Sequence, residues 1–235
     1  MERIFAFPMI PMCSNHNCFL ITMIFLPIML SVTAFESKLK MIEVDASVAL
    51  KPDYDTTKWK ELTAADGFII DIKYATTDNF VKEKIYPCAR FFLRPKVAEA
   101  LQQVSKELKT QGYRLKLFDG YRPRPAQQKL WDKVPDPNYV APPSKGSMHN
   151  RGVAVDLSLT DMTGKEINMG TPYDFFGPQA HHDCTNLPKE VLQLRAKLKA
   201  IMEKHGFRSI RTEWWHYSYA TGSYPLDDWQ WQCKT

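Results

Sequence analysis

Residues 152–159 (GVAVDLSL) alternate between apolar side chains and small or polar ones, and no other stretch of the sequence constrains the fold as strongly. Successive side chains of a β-strand point to opposite faces of a sheet, so the pattern predicts a strand with one core-facing side. That side carries Val153, Val155, Leu157 and Leu159. Asp156 falls on the opposite side. The chain therefore has to build a sheet that buries one face of this segment and leaves a carboxylate on the other.

Two longer segments have helical periodicity instead. The first opens at Arg94-Pro95 and ends before Gly112, and the second runs from Pro188 to His205. A proline at the start and a glycine after the end are typical of helix boundaries. The apolar stripes are Val97, Leu101, Val104 and Leu108 in the first segment, and Val191, Leu194, Leu198 and Ile201 in the second. Both segments are predicted to be amphipathic helices.

Shorter segments predict the remaining elements. Strands are expected over residues 68–72, 115–117, 207–212 and 215–219, and a short helix over residues 126–134. Helices and strands are mixed without the regular alternation of a parallel α/β fold, and no internal repeat is visible. The sequence therefore predicts an α+β fold in a single domain.

Composition narrows the class of protein further. The 235 residues are 44% hydrophobic and 24% charged, with a formal net charge of +5, which is the balance of an ordinary globular protein. No block of Lys and Arg supplies the basic stripe that a nucleic-acid backbone requires, so we expect no nucleic-acid partner. The oligomeric state is left open.

The amino-terminal 34 residues differ from the rest of the chain, because Glu2 and Arg3 are their only acidic or basic residues besides His16. The apolar run 18–30 has the length of a signal-peptide core and is too short to span a bilayer. We expect a signal peptide over residues 1–34, a polar extension over 35–65 and the folded domain over 66–235. An uncleaved anchor and a misassigned start codon are the alternatives. The expectation is export to the periplasm, with no stable membrane span after cleavage.

Removal of that leader would leave three cysteines, Cys88, Cys184 and Cys233. An oxidising compartment permits one disulfide and one remaining thiol, and all three pairings stay open. The cysteine spacings do not match a zinc ribbon.

Two imidazoles and two carboxylates carry the chemistry. His149 lies on a loop just before the alternating strand that contains Asp156, and Glu213 and His216 come later in the sequence Glu-Trp-Trp-His. Zn²⁺ accepts imidazole nitrogens and carboxylate oxygens, and a catalytic site keeps a fourth position open for water. In an extended strand Glu213 and His216 would face opposite sides, so we expect a turn or bulge there if both reach one metal ion.

These residues stand in a pattern that resembles the zinc D-alanyl-D-alanine dipeptidase family, within the wider group of cell-wall D-Ala-D-Ala metallopeptidases. Five blocks carry the resemblance in order: residues 71–76 (DIKYAT), 119–123 (DGYRP), 147–156 (SMHNRGVAVD), 169–176 (MGTPYDFF) and 213–216 (EWWH). The leader and the residues up to about 65 lie outside it. The resemblance implies a mainly antiparallel sheet flanked by helices, with residues 66–235 as the catalytic domain.

The resemblance also implies roles for individual residues. His149, Asp156 and His216 would bind one zinc ion per chain, and Glu213 would be the general base that takes a proton from a zinc-bound water acting as nucleophile. Arg122 would stabilise the developing oxyanion. Ser147, Asp174 and Tyr74 would bind the substrate, with Asp174 at the free amine. The implied activity is hydrolysis of the small dipeptide D-Ala-D-Ala to two D-alanines.

Each role has an alternative. Arg122 could form a salt bridge with Asp119, and Asp174 could serve only to cap a turn. A D,D-carboxypeptidase or endopeptidase of the same fold would trim peptidoglycan stems instead, and a zinc-stabilised wall-binding module would not need Glu213 and Arg122. The residues His181, His182, Asp183 and His205 are expected to be loop or helix-end residues and not a second metal site.

Overall fold

The structure, a computed structural model, describes residues 51–220 and 224–233. The expected signal peptide, residues 1–34, lies outside the described residues. The compact unit begins at Pro52, so residues 52–65 belong to it and not to a polar extension. Trp59, which is 1% exposed, and Leu62 anchor this stretch in the core. The boundary was expected at residue 66 because two isolated apolar residues in a polar stretch show no periodicity.

A five-stranded sheet forms the centre of the fold, in the order β2-β4-β5-β7-β6. β2 pairs with β4 in parallel, and the other three pairings are antiparallel. A small antiparallel pair, β1 with β3, lies beside it. The strands are β1 (Lys60–Leu62), β2 (Ile69–Ile70), β3 (Phe91–Leu93), β4 (Tyr113–Asp119), β5 (Ala154–Asp161), β6 (Phe207–Ile210) and β7 (Glu213–Tyr219). The mainly antiparallel α+β expectation is confirmed.

Three α-helices accompany the sheet in the described residues: α1 (Pro95–Thr110), α2 (Arg124–Lys133) and α3 (Lys189–Lys204). α1 packs against β4, α3 packs against β6, and the two helices contact each other. The predicted stripe of α1 is buried throughout, because its apolar residues recur on one side of the helix. The helix predictions hold to within a few residues at each end. None of the described helices is long and apolar enough to cross a bilayer.

The hairpin of β6 and β7 contains the irregularity that the sequence predicted. Ser209 pairs with Tyr217, whereas the next residue of β6, Ile210, pairs with Glu213. Three residues of β7 therefore lie opposite a single step of β6, and such a bulge redirects side chains. The bulge removes the simple alternation that would have separated Glu213 from His216.

A disulfide joins Cys88 to Cys233, and Cys184 is the free thiol among the described cysteines. The bond holds the carboxy-terminal segment against the core. There Trp229 stacks on Trp59 with ring centroids 5.3 Å apart, and Trp231 packs against Tyr86. Sequence spacing could not select this pairing, because the two cysteines are 145 residues apart.

Candidate active site

Three buried side chains bring their metal-binding atoms together. His149 Nε2 lies 3.1 Å from His216 Nδ1 and 3.3 Å from Asp156 Oδ1, and His216 Nδ1 lies 2.9 Å from Asp156 Oδ1. A tetrahedral zinc ion with bonds of about 2.0 Å separates its ligand atoms by about 3.3 Å. Both the donor set and the spacing therefore fit a single zinc ion. A metal site needs at least three His, Cys, Asp or Glu side chains close together, and in the described part of the chain these three residues meet that condition.

Two adjacent strands and one turn position these ligands. Asp156 on β5 stands directly opposite His216 on β7 in the antiparallel register. His149 begins a short 3-10 turn that ends at Gly152, whose φ is +71°. A Cβ at Gly152 would lie 2.5 Å from the ring of Trp59, so only glycine fits here. The sheet thus fixes two ligands, and a glycine-dependent turn brings the third to them.

Hydrogen bonds orient two of the three ligands. His149 Nδ1 donates to the Gly120 carbonyl at 2.7 Å, which leaves the lone pair of Nε2 directed at the cluster. The Tyr173 hydroxyl donates to Asp156 Oδ2 at 3.0 Å, which leaves Oδ1 for the cluster. Tyr173 was missed from the sequence, although it lies next to Asp174 in a block that carried the resemblance.

The charge of the cluster suits a cation. Burial opposes ionisation of Asp156, but the neighbouring His149 and His216 hold the pKa of this carboxyl well below its usual range. Burial likewise opposes protonation of His216, yet the hydrogen bond to Asp156 raises the imidazole pKa. The aspartate is therefore ionised, and its negative charge attracts a cation to the cluster.

Glu213 lies beside the cluster without belonging to it. Its Oε2 is 3.9 Å from His216 Nδ1. Burial raises the pKa of Glu213, and the negative charge of Asp156 adds to the effect. A carboxyl group with a raised pKa can both accept and return a proton near neutral pH.

Arg122 is held rigidly at the cavity by two side chains. Asp119 Oδ2 accepts from Arg122 Nε at 2.9 Å and from Nη2 at 2.6 Å, and Gln127 Oε1 accepts from Nη1 at 3.0 Å. Asp119 is itself fixed by the Tyr86 hydroxyl, which donates to Oδ1 at 2.7 Å. Arg122 therefore forms the expected salt bridge with Asp119 and also lines the cavity. The salt bridge holds the guanidinium at the cavity.

Asp174 also lines the cavity, and its backbone has a φ of +57°, which is unusual for a residue other than glycine. The Tyr74 hydroxyl donates to Asp174 Oδ2 at 3.1 Å. Burial raises the pKa of Asp174 well above its usual range, with a further contribution from the charge of Asp156. Ser147 lies near the ligand turn, where its hydroxyl accepts from the His149 amide at 3.2 Å.

One cavity of about 400 Å³ is lined by all eight residues singled out from the sequence: Tyr74, Arg122, Ser147, His149, Asp156, Asp174, Glu213 and His216. Its outer part is lined by residues 137–141 and Phe176, which the sequence did not identify. A larger cavity of about 740 Å³ shares Phe80 and Asp174 with it but contains none of the three ligands. The chemistry is therefore in the smaller cavity.

His205 and His181 have partners of a different kind. His205 Nε2 lies 2.7 Å from Glu107 Oε2, at the end of α3. Arg211 Nη1 lies 3.0 Å from His181 Nδ1 and 3.4 Å from Asp183 Oδ2. These contacts are those of surface ion pairs and hydrogen bonds.

A protein-family model described as D-ala-D-ala dipeptidase matches residues 59–232. The chain belongs to the D-Ala-D-Ala dipeptidase family. A member of this family from Escherichia coli K12, named D-alanyl-D-alanine dipeptidase, is 36% identical over 181 residues, covering 76% of this chain and 94% of the relative. Relatives of the same name from Enterococcus faecium (35% identity, 66% of this chain, 87% of the relative) and Streptomyces coelicolor (33%, 68% and 89%) are also similar.

Among solved structures, a chain titled VanYB in complex with D-Alanine-D-Alanine is similar at 15% identity with a TM-score of 0.42, covering 73% of this chain and 81% of that one. Membership of the D-Ala-D-Ala dipeptidase family makes this chain a metallopeptidase enzyme, as the sequence pattern indicated. The family match begins at Trp59, in agreement with a folded domain that includes the residues before 66.

Proposed function

We propose that this enzyme binds one zinc ion through His149, Asp156 and His216 and hydrolyses D-Ala-D-Ala to two D-alanines. The observation that carries the proposal is the shared cavity, in which the three candidate ligands, the carboxyl groups of Glu213 and Asp174, both of raised pKa, and the Arg122 guanidinium face the same space. The relatives named D-alanyl-D-alanine dipeptidase support it from the sequence side.

Zinc held by these ligands would supply a Lewis acid and lower the pKa of a water molecule to about 7. Glu213 would take a proton from the attacking water, and the position of its carboxylate, with Oε2 3.9 Å from His216 Nδ1, supports this role. The same carboxyl group then gives the proton to the leaving amine. Its raised pKa favours this return step.

Arg122 would stabilise the negative charge that develops on the carbonyl oxygen. Asp119 and Gln127 fix the guanidinium before substrate arrives, so little reorganisation is needed during the reaction. Preorganised positive charge of this kind is commonly worth about 3 kcal/mol or more.

Asp174 would recognise the free ammonium of the dipeptide. In the free enzyme, burial disfavours its charged form, and an ammonium ion that enters the cavity would restore it. Tyr74 holds the carboxyl group through its hydroxyl. Ser147 would offer a further hydrogen bond to the substrate. A peptidoglycan stem has a peptide nitrogen at this position, which carries no positive charge and so cannot form the ion pair that favours the ionised carboxyl. This residue therefore distinguishes the dipeptidase from the D,D-carboxypeptidase alternative.

The test compares D-Ala-D-Ala with N-acetyl-D-Ala-D-Ala on the purified protein. Acetylation keeps the scissile bond and removes the ammonium, and the lost contact with a buried charge costs about 2 to 5 kcal/mol. We expect kcat/KM to be about 30-fold to several thousand-fold higher for the free dipeptide. In Asp174→Asn the difference should narrow. Equal turnover of both substrates by the unmodified protein would sink the dipeptidase assignment in favour of the carboxypeptidase.

Elemental analysis tests the metal separately. We expect about one zinc per chain, and full activity in a preparation stripped of divalent metal would contradict the proposed site.

We further propose export to the periplasm. The apolar run at residues 18–30 and the Cys88–Cys233 disulfide both support it, since disulfides persist in oxidising compartments. An exported dipeptidase would scavenge D-alanine from wall fragments. Intact-mass measurement on protein from the native host should show a chain that starts near Phe35, and a chain retaining Met1 in a reducing compartment would contradict export.

A further inference from the structure

An arginine occupies a core-facing position on α3. The buried residues of this helix are Val191, Arg195, Leu198, Ile201 and Met202. Arg195 is 4% exposed, and this burial lowers the pKa of its guanidinium. A charge in such a place is costly unless it is well supplied with hydrogen-bond acceptors. What those acceptors are decides what Arg195 is for.

The acceptors are backbone carbonyls. Arg195 Nε donates to the Met169 carbonyl at 2.7 Å, and Nη1 donates to the carbonyls of Gln179 at 2.9 Å and His181 at 3.3 Å. The buried Arg122, Arg90 and Arg94 each bind at least one carboxylate, from Asp119, from Asp53 and Glu61, and from Asp227. Within the part of the chain that the structure describes, the hydrogen bonds of Arg195 therefore hold the backbone in place.

The three carbonyls lie at the two ends of one stretch of chain, residues 169–181, which we call the Tyr173 segment. Between its ends stand Tyr173, which binds the ligand Asp156, and Asp174, which faces the cavity. A single guanidinium thus joins the start of this segment to its end. Any change in the span between these ends would move both side chains.

Two backbone features of the Tyr173 segment require support from its surroundings. Asp174 has a φ of +57°, a conformation that persists only where the surroundings enforce it. Gly170 has a φ of +92°, and a Cβ there would lie 3.2 Å from Arg195 Nη2 and 2.8 Å from Val191. The segment therefore approaches α3 more closely than any other residue type would allow.

Arg195 also reaches the segment through a tryptophan. Its guanidinium lies 5.5 Å from the ring centre of Trp214, and Trp214 Nε1 donates to Thr171 Oγ1 at 2.8 Å. Trp214 directly follows Glu213 on β7. The contact links the segment to the strand that carries Glu213 and His216.

We propose that Arg195 is a positioning residue, which joins the ends of the Tyr173 segment and so fixes Asp174 at the amine end of the substrate and Tyr173 on Asp156. The kinetic part of this proposal rests on the proposed function, because it assigns the amine to Asp174. The structural part does not depend on any activity.

The first arm of the test measures hydrogen–deuterium exchange in the full-length protein. Arg195→Met should speed exchange of the amides between residues 170 and 178 by about tenfold or more relative to the rest of the chain. Arg90→Met is the matched control, since Arg90 is also buried but binds residues far from this segment, and it should leave that exchange unchanged. Arg195→Lys keeps the charge but not the fork of donors, and carries the test if the methionine variant does not fold.

The second arm measures kinetics with free and acetylated D-Ala-D-Ala. Arg195→Met should raise KM for the free dipeptide by about tenfold and reduce the preference over the acetylated one by a similar factor, because a displacement of about 1 Å is enough to misplace a reacting group. Arg195→Lys should show a smaller change in the same direction. Arg90→Met should lower thermal stability without altering the preference.

The two arms distinguish failure of the positioning role from failure of the proposed function. If neither Arg195 variant changes exchange in the Tyr173 segment, or if both lose stability while keeping the wild-type substrate preference, the inference is overturned. If the wild-type protein shows no preference while exchange still responds to Arg195→Met, the positioning role stands and the proposed function is the part that fails.

Discussion

One wall of the catalytic cavity belongs to the sheet and the other to loops, and the two are held in place differently. The strand wall, formed by β5 and β7, sets Asp156 opposite His216 in a continuous hydrogen-bonded register. The loop wall, formed by residues 137–141, Asp174 and Phe176, depends on single side-chain contacts such as the one between Tyr74 and Asp174. A substitution on the strand wall should therefore lower the reaction rate without moving the surrounding residues. A substitution on the loop wall should first shift the positions of neighbouring residues.

The largest effect is expected on the strand wall, at Glu213. Glu213→Gln keeps the shape of the side chain but cannot accept a proton, so kcat should fall by about 100- to 10,000-fold. Zinc content should stay near one per chain, because Glu213 is not among the three ligands. Kinetics and elemental analysis on the same preparation check both statements. Loss of zinc would show that Glu213 is a ligand. A substitution on this wall would then disturb the metal site as well as the reaction rate.

Arg122 should come next, since it touches the cavity from the end of β4. Arg122→Ala should lower kcat by about 100- to 1,000-fold by removing the charge that stabilises the oxyanion. It also leaves Asp119 buried without its partner, a loss of about 3 to 5 kcal/mol in the free energy of unfolding.

Arg122→Lys provides the control for that loss of stability, because it keeps a positive charge beside Asp119. Chemical denaturation and kcat are measured on both variants. An alanine variant that is less stable but fully active would assign Arg122 a structural role alone.

A smaller effect is expected where the two walls meet, at the hydrogen bond from Tyr173 to Asp156. Tyr173→Phe should weaken zinc binding by about 10- to 100-fold, since partners that orient metal ligands typically contribute that much. The matched control is Tyr217→Phe, which removes a buried hydroxyl that has no hydrogen-bond partner among the described residues. Competition with a chelator gives both affinities. Equal affinity in the two variants would show that the loop wall does not influence the metal site.

Sequence reasoning succeeded for the strand wall because its residues are ordered by local rules. The alternation at residues 152–159 and the stripe of α1 follow from the periods of strand and helix, and the structure confirms both elements. The bulge between Glu213 and His216 was predicted from the requirement that both reach one centre. The clustering of His149, Asp156 and His216 was expected from their types and family pattern.

The loop wall was less accessible to the same reasoning, because its contacts join distant parts of the chain. Nothing in the local sequence around Tyr139 indicates that its ring meets Phe176. The partners of Arg195 are backbone carbonyls, which leave no mark in the sequence. For the same reason the Cys88–Cys233 pairing was left open among three, and the start of the fold at Pro52 was not predicted.

The smallest effect is expected at the rim of the loop wall, where Tyr139 is 44% exposed and its ring lies 4.5 Å from that of Phe176. Tyr139→Ala removes an aromatic contact with Phe176 worth about 0.5 to 1.5 kcal/mol, so KM for D-Ala-D-Ala should rise by at most about 2- to 13-fold. Zinc content and kcat should stay within about twofold of wild type, because Tyr139 does not belong to the group of candidate metal ligands. Met162→Ala is the control, since Met162 is 52% exposed and lies outside the cavity. A fall in kcat comparable to that of Glu213→Gln would mean that the rim takes part in the chemistry, and the distinction between the two walls would then have to be given up.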